Sequence, residues 1–261
     1  MNEFQSLKEF LLVLTVTLPR LVGVFAILPF LNSQLIQGLV RNTILISLAL
    51  VLFPLVLPQF PPGLGIGMVI AVVFKELFIG IGIGFVVSIL FWTVESIGYF
   101  IDNQRGTTMA AVLDPMSGQQ TSPLGSMLLQ TMVVWFFSSG GFLLLLDSLL
   151  ETYKIWPVFS FFPGFGIDMT DFFLGQADTL MRLTVLFAAP VVITVFVCEF
   201  GLGLINRFAP QLNVFFLSMP IKSAVAGFVM ILYFMTMLTF FKEHFTGLAS
   251  MATFLGGIFH E

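Results

Sequence analysis

Six long apolar stretches alternate with short polar ones along this chain of 261 residues. Each stretch is long enough to cross a bilayer as a helix, because a crossing needs about 20 apolar residues. The pattern predicts an all-α membrane-type protein with about six apolar helical segments, at residues 10–31, 39–57, 67–101, 125–150, 181–205 and 214–241.

Prolines interrupt several of these segments. Pro19 and Pro29 lie in the first, Pro190 in the fifth and Pro220 in the sixth. Each proline removes one helical hydrogen bond, which a membrane tolerates only where neighbouring groups satisfy the freed backbone. We therefore expect broken helices that pack in an assembly with other subunits, rather than isolated rods exposed to lipid.

The third segment is too long for a simple crossing, so it must tilt, break or project beyond the apolar layer. Gly80, Gly82 and Gly84 offer a place to bend. A phosphate loop is a weak interpretation of these glycines, because the Lys-Ser/Thr pair of a P-loop is missing. Gly80 and Gly84 have the small-xxx-small spacing that brings two membrane helices close together.

The composition agrees with a membrane environment. Hydrophobic residues make up 58% of the chain and charged residues only 9%, and 33 residues are Phe against three Tyr. Soluble domains carry roughly a quarter charged residues, so this chain belongs in a membrane or within a large apolar assembly. The net charge of −4 and the lack of any basic run argue against nucleic acid as a partner. We expect a single domain over residues 1–261.

Two connectors are longer than a link between membrane helices requires. Residues 151–180 are acidic and aromatic, and residues 102–124 are polar at both ends with an apolar centre. This pattern predicts that residues 102–124 form a loop that sits in a pathway and moves. Its candidate hinge and contact residues are Gly106, Met109, Ala110, Ala111, Val112, Leu113, Met116 and Gly118.

Charged residues lie inside or near the apolar segments, where each costs about 2.5–3.5 kcal/mol on insertion and usually faces a partner or water. Glu95 and Asp102 are seven residues apart and share a helical face, with Arg105 about 60° round from Asp102. Such charges form either structural ion pairs between helices or subunits, or a path for protons or substrate. The candidates for buried charge and assembly contacts are Arg20, Lys75, Glu76, Glu95, Asp102, Arg105, Glu199, Arg207 and Lys222.

Sequence motifs of enzymes are absent. Gly164–Asp168 resembles the GxGD element of intramembrane aspartyl proteases but has one residue too many, lies in a connector and has no second intramembrane aspartate. His244 and His260 are the two histidines, and they make no plausible metal site. We therefore expect a protein that is not an enzyme and that binds no cofactor or metal.

Three segments carry a specific resemblance. Asp102–Pro115 (DNQRGTTMAAVLDP), Gln120–Gly125 (QTSPLG) and Glu199–Ser223 (EFGLGLINRFAPQLNVFFLSMPIKS) are similar to the type III secretion export-apparatus family that includes SctT and its flagellar counterpart FliR. The likeness extends over essentially the whole chain, and the DNQRG form resembles the injectisome (virulence) branch more than the flagellar one.

This resemblance implies a bacterial inner-membrane protein that assembles with SctR-like and SctS-like subunits into an export gate for unfolded proteins. It implies an SctU-like switch protein at the base and an SctV-like ring below. The segment matching Gly106–Gln120 projects into the channel as a plug in that family, so the resemblance identifies the loop at residues 102–124 as plug-like. Energy comes from a partner ATPase and the proton-motive force, so this subunit needs no active site.

Three other functions are compared with an injectisome export gate. A flagellar FliR-type gate subunit differs only in the machine it serves. A small-molecule secondary transporter would place the buried charges around a substrate near the midplane, and inverted repeats would support it. No such repeat is evident. An intramembrane protease lacks a catalytic pair.

Overall fold

The structure is a computed structural model that describes residues 3–31, 37–61, 65–107, 122–161, 168–209, 211 and 214–247. Within these ranges every regular element is helical, which confirms the all-α prediction. Short 3₁₀ turns follow α1 at Pro29–Leu31 and α2 at Leu57–Gln59. The helices are α1 (Glu3–Ile27), α2 (Gly38–Val56), α3 (Ile66–Arg105), α4 (Pro123–Ser138), α5 (Gly141–Ile155), α6 (Asp168–Phe208) and α7 (Val214–Gly247).

Five stretches of helix are long and apolar enough to cross a membrane: Glu9–Ile27, Gly38–Gln59, Ile66–Arg105, Thr170–Phe208 and Phe216–Phe241. The pair α4 and α5 passes the same test together, which brings the number among the described residues to six. The predicted number of apolar segments is therefore confirmed.

The predicted segment at 125–150 is a broken one, because α4 ends at Ser138 and α5 begins at Gly141. Gly140 has φ of +80° between them. This left-handed conformation ends a helix and is cheap only for glycine. Apolar residues continue on both sides of the break, so hydropathy alone does not show it.

The helices also extend beyond the apolar segments into both predicted connectors. Residues 102–105 belong to α3, residues 151–155 to α5 and residues 168–180 to α6. Hydropathy marks only the apolar part of a helix, whereas hydrogen bonding continues through its polar turns. Likewise α1, α6 and α7 continue through Pro19, Pro190 and Pro220.

The chain divides into two compact units, each built from separate parts of the sequence. Unit 1 combines residues 1–89, 140–174 and 246–261, and unit 2 combines residues 90–139 and 175–245. Helix α3 is continuous over 40 residues, about 60 Å at the usual helical rise, so it does not break at its glycines. The single-domain organisation stays a prediction.

Those glycines instead bring α1 and α3 into backbone contact within unit 1. A Cβ atom on Gly80 would collide with the carbonyl group of Arg20, and one on Gly84 would lie 2.9 Å from the carbonyl oxygen of Val24. On the α1 side, a Cβ on Gly23 would lie 2.7 Å from the carbonyl oxygen of Leu77. Close packing through small residues is thus confirmed for Gly80 and Gly84.

Unit 2 has a glycine contact of its own and a large apolar exterior. A Cβ on Gly98 of α3 would collide with the backbone of Gly125 in α4. Helices α6 and α7 expose many large apolar side chains, among them Ile193, Phe196, Phe200, Phe228, Ile231 and Leu232. Exposing such an apolar surface to water is unfavourable, so lipid or other protein must cover it.

We expect Gly80→Ala to destabilise the protein, since the added methyl group meets the backbone of Arg20 rather than a flexible side chain. Overpacking of this kind typically costs about 1–3 kcal/mol. The measurement is thermal unfolding of the chain within its membrane assembly, followed as loss of detergent-soluble chain after heating. The matched control is Gly227→Ala in α7, where a Cβ has open space. Equal unfolding temperatures for the two variants would contradict the glycine contact.

Candidate functional site

The structure gathers most of the predicted charged residues into three separate clusters. Arg20, Lys75 and Glu76 meet in unit 1. Unit 2 holds the other two clusters: Asp102 pairs with Arg105, and Glu199 pairs with Lys222. Glu95 is partly buried on α3, and Arg207 is exposed in the last turn of α6.

The first cluster is centred on an ion pair between α1 and α3 that is fully buried. Arg20 Nε donates to Glu76 Oε2 at 2.6 Å, and Arg20 Nη2 donates to Glu76 Oε1 at 3.0 Å. Both side chains have 0% exposure. Two parallel hydrogen bonds between guanidinium and carboxylate form the strongest arrangement for such a pair.

Helix α5 and the residue after it complete the surroundings of Arg20. Arg20 Nη1 donates to Thr152 Oγ1 at 3.3 Å, and Nη2 donates to the carbonyl oxygen of Trp156 at 3.0 Å. The guanidinium lies 4.1 Å from the ring centre of Tyr153, whose hydroxyl donates to the carbonyl oxygen of Thr17 at 2.9 Å. The cluster therefore ties α1, α3 and α5 together.

Sequence reasoning identified the three charges but missed Thr152, Tyr153 and Trp156. Their residue types are ordinary in a helix end, and only folding brings them to Arg20. The one available signal was the Thr-Tyr-Lys-Ile-Trp run at residues 152–156, which is more polar and aromatic than the leucine-rich residues 142–150 before it.

The second cluster is built around Asp102, which is 3% exposed near the end of α3. Arg105 Nη2 lies 2.6 Å from Asp102 Oδ1, as expected for residues three apart on one helix. Arg105 Nε also donates to Thr107 Oγ1 at 3.0 Å. The predicted neighbourhood of Asp102 and Arg105 is confirmed.

The other oxygen of Asp102 holds the beginning of α4. Ser122 Oγ donates to Asp102 Oδ2 at 2.6 Å, and the Leu124 amide donates to the same oxygen at 2.9 Å. Ser122 is also the N-cap of α4 and accepts from the Gly125 amide at 2.9 Å. A carboxylate at a helix N-terminus is favoured by the helix dipole. We call these contacts the Asp102 clasp.

The Asp102 clasp joins the two described ends of the segment predicted to be a plug. Gly106 follows α3 with φ of +93°, a conformation that favours glycine. The remaining plug candidates, Met109, Ala110, Ala111, Val112, Leu113, Met116 and Gly118, lie outside the described residues. Sequence reasoning missed Ser122, although a serine directly before a proline is a known helix-start signal.

The third cluster joins α6 to α7 within unit 2. Lys222 Nζ donates to Glu199 Oε1 at 3.3 Å, and the Lys222 side chain is only 9% exposed while that of Glu199 is 52% exposed. Two of the predicted buried charges, Glu199 and Lys222, therefore form an ion pair between neighbouring helices.

These arrangements favour a structural role for the buried charges. In the first two clusters each buried charge is engaged by groups of its own cluster. Among the described residues, no group of three His, Cys, Asp or Glu side chains is placed to hold a metal ion.

We expect Arg20→Met and Glu76→Gln each to destabilise the protein strongly. Removing one partner of a buried ion pair leaves an uncompensated polar group and typically costs about 3–5 kcal/mol. The double variant should lose clearly less than the sum of the two single losses, because the residues interact directly. Denaturant unfolding of the chain within its detergent-solubilised assembly, followed by its sensitivity to protease, measures all three values.

The exposed pair Lys154–Glu151, also three residues apart on a helix, provides the control. Lys154→Met should change stability little, since exposed ion pairs contribute little. Additive losses for Arg20→Met and Glu76→Gln would show that the pair is not coupled.

The chain is similar to known export proteins over most of its length. Residues 11–248 match the family described as bacterial export proteins, family 1. The chain is 46% identical to the Yop proteins translocation protein T of Yersinia pestis, with 88% of each chain covered. It is 35% identical to the surface presentation of antigens protein SpaR of Salmonella typhimurium, covering 93% of this chain and 89% of the relative.

A flagellar relative is more distant. Identity to the flagellar biosynthetic protein FliR of Bacillus subtilis is 29%, with 84% of each chain covered. The order of these identities agrees with the resemblance of the DNQRG segment to the injectisome branch. With five to six helices able to cross a membrane, the chain belongs to the bacterial export proteins, family 1, as a multi-pass inner-membrane member of the SctT/FliR type on its injectisome branch.

Proposed function

We propose that this protein is a non-enzymatic core subunit of a type III secretion export gate. With SctR-like and SctS-like subunits it forms the channel through which unfolded proteins cross the inner membrane. An SctU-like switch protein and an SctV-like export ring are its further partners. The observation that carries this proposal is the match of residues 11–248 to a family of bacterial export proteins.

The apolar exterior supports a role within a larger assembly. Of the 18 most apolar consecutive residues, only 22% are buried within the chain itself in α6 and likewise in α7. The corresponding share in α3 is 56%. The exposed apolar side chains of these helices can therefore contact neighbouring subunits as well as lipid. A subunit of a hetero-oligomeric gate needs this kind of surface, because its neighbours complete its packing.

The contacts of the charge clusters support a non-enzymatic role. Arg20, Glu76 and Asp102 are held by several hydrogen bonds each, within the helices they connect. A secondary transporter would instead direct such charges towards a substrate near the midplane. The flagellar alternative is less favoured, because the identity to FliR of Bacillus subtilis is lower than the identity to the Yersinia and Salmonella relatives.

We further propose that Gly106–Gln120 acts as a plug that helps to seal the resting channel. A pore for unfolded protein must hold back ions, and apolar constrictions do this by dewetting. Met109 and Met116 supply flexible side chains that adapt to a varied polypeptide. The Asp102 clasp supports this role, because its hydrogen bonds hold the two described ends of the segment together.

We expect this chain to co-purify from detergent extracts with two unlike small membrane proteins of the SctR and SctS type. Made alone, it should aggregate, because the apolar faces of α6 and α7 then have no protein neighbours. Size-exclusion chromatography with mass spectrometry of the subunits measures this. A folded, monodisperse protein purified without partners would contradict the proposed role in a gate.

We expect deletion of Thr107–Ser117 to leave the complex assembled but leaky. The deletion keeps Asp102 and Ser122, so the clasp that joins α3 to α4 is retained. Conductance of the reconstituted complex in planar bilayers measures the leak. Replacement of the same residues by an equally long Gly-Ser segment separates loss of apolar contact from loss of length, and it should leak as well. An intact complex with unchanged conductance would show that this segment is not the seal.

A further inference from the structure

Lys75 lies beside the Arg20–Glu76 pair but serves a different part of unit 1. Its Nζ lies 2.8 Å from Glu76 Oε1, and the side chain is 11% exposed. Nζ also donates to three main-chain carbonyl oxygens that follow α5: Pro157 at 3.4 Å, Val158 at 2.5 Å and Ser160 at 2.9 Å.

Aromatic rings complete the surroundings of this ammonium group. The centres of the Trp156 and Phe161 rings each lie 5.8 Å from Lys75 Nζ, within the range of cation–π attraction. Trp156 Nε1 donates to the carbonyl oxygen of Ser160 at 2.9 Å, which adds a second bond within the same turn. Residues 156–161 thus wrap around one positive charge.

We propose that residues 156–161, together with Glu76, form a binding site for a small ammonium ion, and that the Lys75 side chain is its built-in occupant. Converging carbonyl oxygens repel one another unless a cation or N–H donors lie between them, and buried polar groups need such partners. An ammonium group offers three N–H donors on one atom. A guanidinium spreads its donors over three nitrogens in one plane, so it does not present them from a single point.

The position of the charges explains why two cations share one carboxylate. Arg20 and Lys75 both contact Glu76, which leaves one positive charge in excess within the cluster. The carbonyl dipoles of residues 157, 158 and 160 compensate that excess. Lys75 therefore acts as a positioning residue: it gives the segment after α5 its shape without itself binding a substrate. This inference does not depend on the proposed export function.

The test removes the lysine and returns its missing atoms as a soluble ion. Lys75→Ala deletes the atoms from Cγ to Nζ, and propylammonium matches them. Val158 is fully buried, so a cysteine at this position reports local opening. The reporter is Val158→Cys in a Cys198→Ala background, which removes the natural thiol. It is labelled with a maleimide in membrane vesicles from cells that make the full chain. Labelling is read on a gel that resolves this chain.

We expect labelling of Val158→Cys to rise at least about tenfold when Lys75→Ala is added, because loss of a charged donor favours local opening. Propylammonium should return labelling to the starting level. Tetramethylammonium at the same concentration should not, since it has the charge and suits aromatic rings but has no N–H. Lys154→Ala removes an exposed lysine of α5 and should leave labelling of Val158→Cys unchanged. Ser160 is exposed, so labelling of Ser160→Cys shows that the reagent reaches this surface.

Unchanged labelling in Lys75→Ala would overturn the proposal, and so would rescue by both ions or by neither. If Lys75→Ala fails to accumulate in cells, its accumulation only in medium containing propylamine supports the site. Failure to accumulate with propylamine as well would overturn it.

Discussion

The buried pair of Arg20 and Glu76 is the interaction on which the core of unit 1 depends. Two fully buried charges are tolerable only with near-ideal geometry and further hydrogen bonds, and α5 supplies these through Thr152 and the carbonyl of Trp156. The pair is possible because Gly80, one helical turn after Glu76, admits the backbone of Arg20. The ion pair therefore requires the glycine, because a side chain at residue 80 would push α1 away from the carboxylate.

Unit 2 repeats this arrangement with different partners. Gly98 of α3 lies against the backbone of Gly125, and Asp102, one turn further along, reaches Ser122 and the Leu124 amide. In both units a glycine brings two backbones close enough for an acidic side chain one turn away to reach the neighbouring helix. The carboxylate then replaces water as the partner of donors that the apolar surroundings cannot satisfy. Charge in this protein connects helices, and the apolar faces of α6 and α7 are left for lipid and for other subunits.

The family match and this use of charge lead to the same functional proposal from different directions. A chain similar to export proteins along residues 11–248 has its buried charges engaged within its own units, which agrees with the non-enzymatic subunit proposed above. Its specific features then lie at the clasped segment after α3 and at the segment after α5 that surrounds Lys75. In each case one charged side chain, Asp102 or Lys75, holds main-chain groups at an end of a long connection.

The sequence by itself determined the helical class, the number of apolar segments and the family, because these depend on composition, on runs of about 20 apolar residues and on long specific segments. It also identified Gly80 and Gly84 as packing residues and Asp102 as a neighbour of Arg105, since both follow from helical spacing. The break at Gly140 escaped it, because that break depends on a backbone angle within an apolar run. Only the tertiary structure decided that Arg20 meets Glu76, that Glu199 pairs with Lys222, and that Thr152, Trp156 and Ser122 complete the clusters. Those contacts join residues up to 136 positions apart, and hydropathy carries no information about which helix faces which.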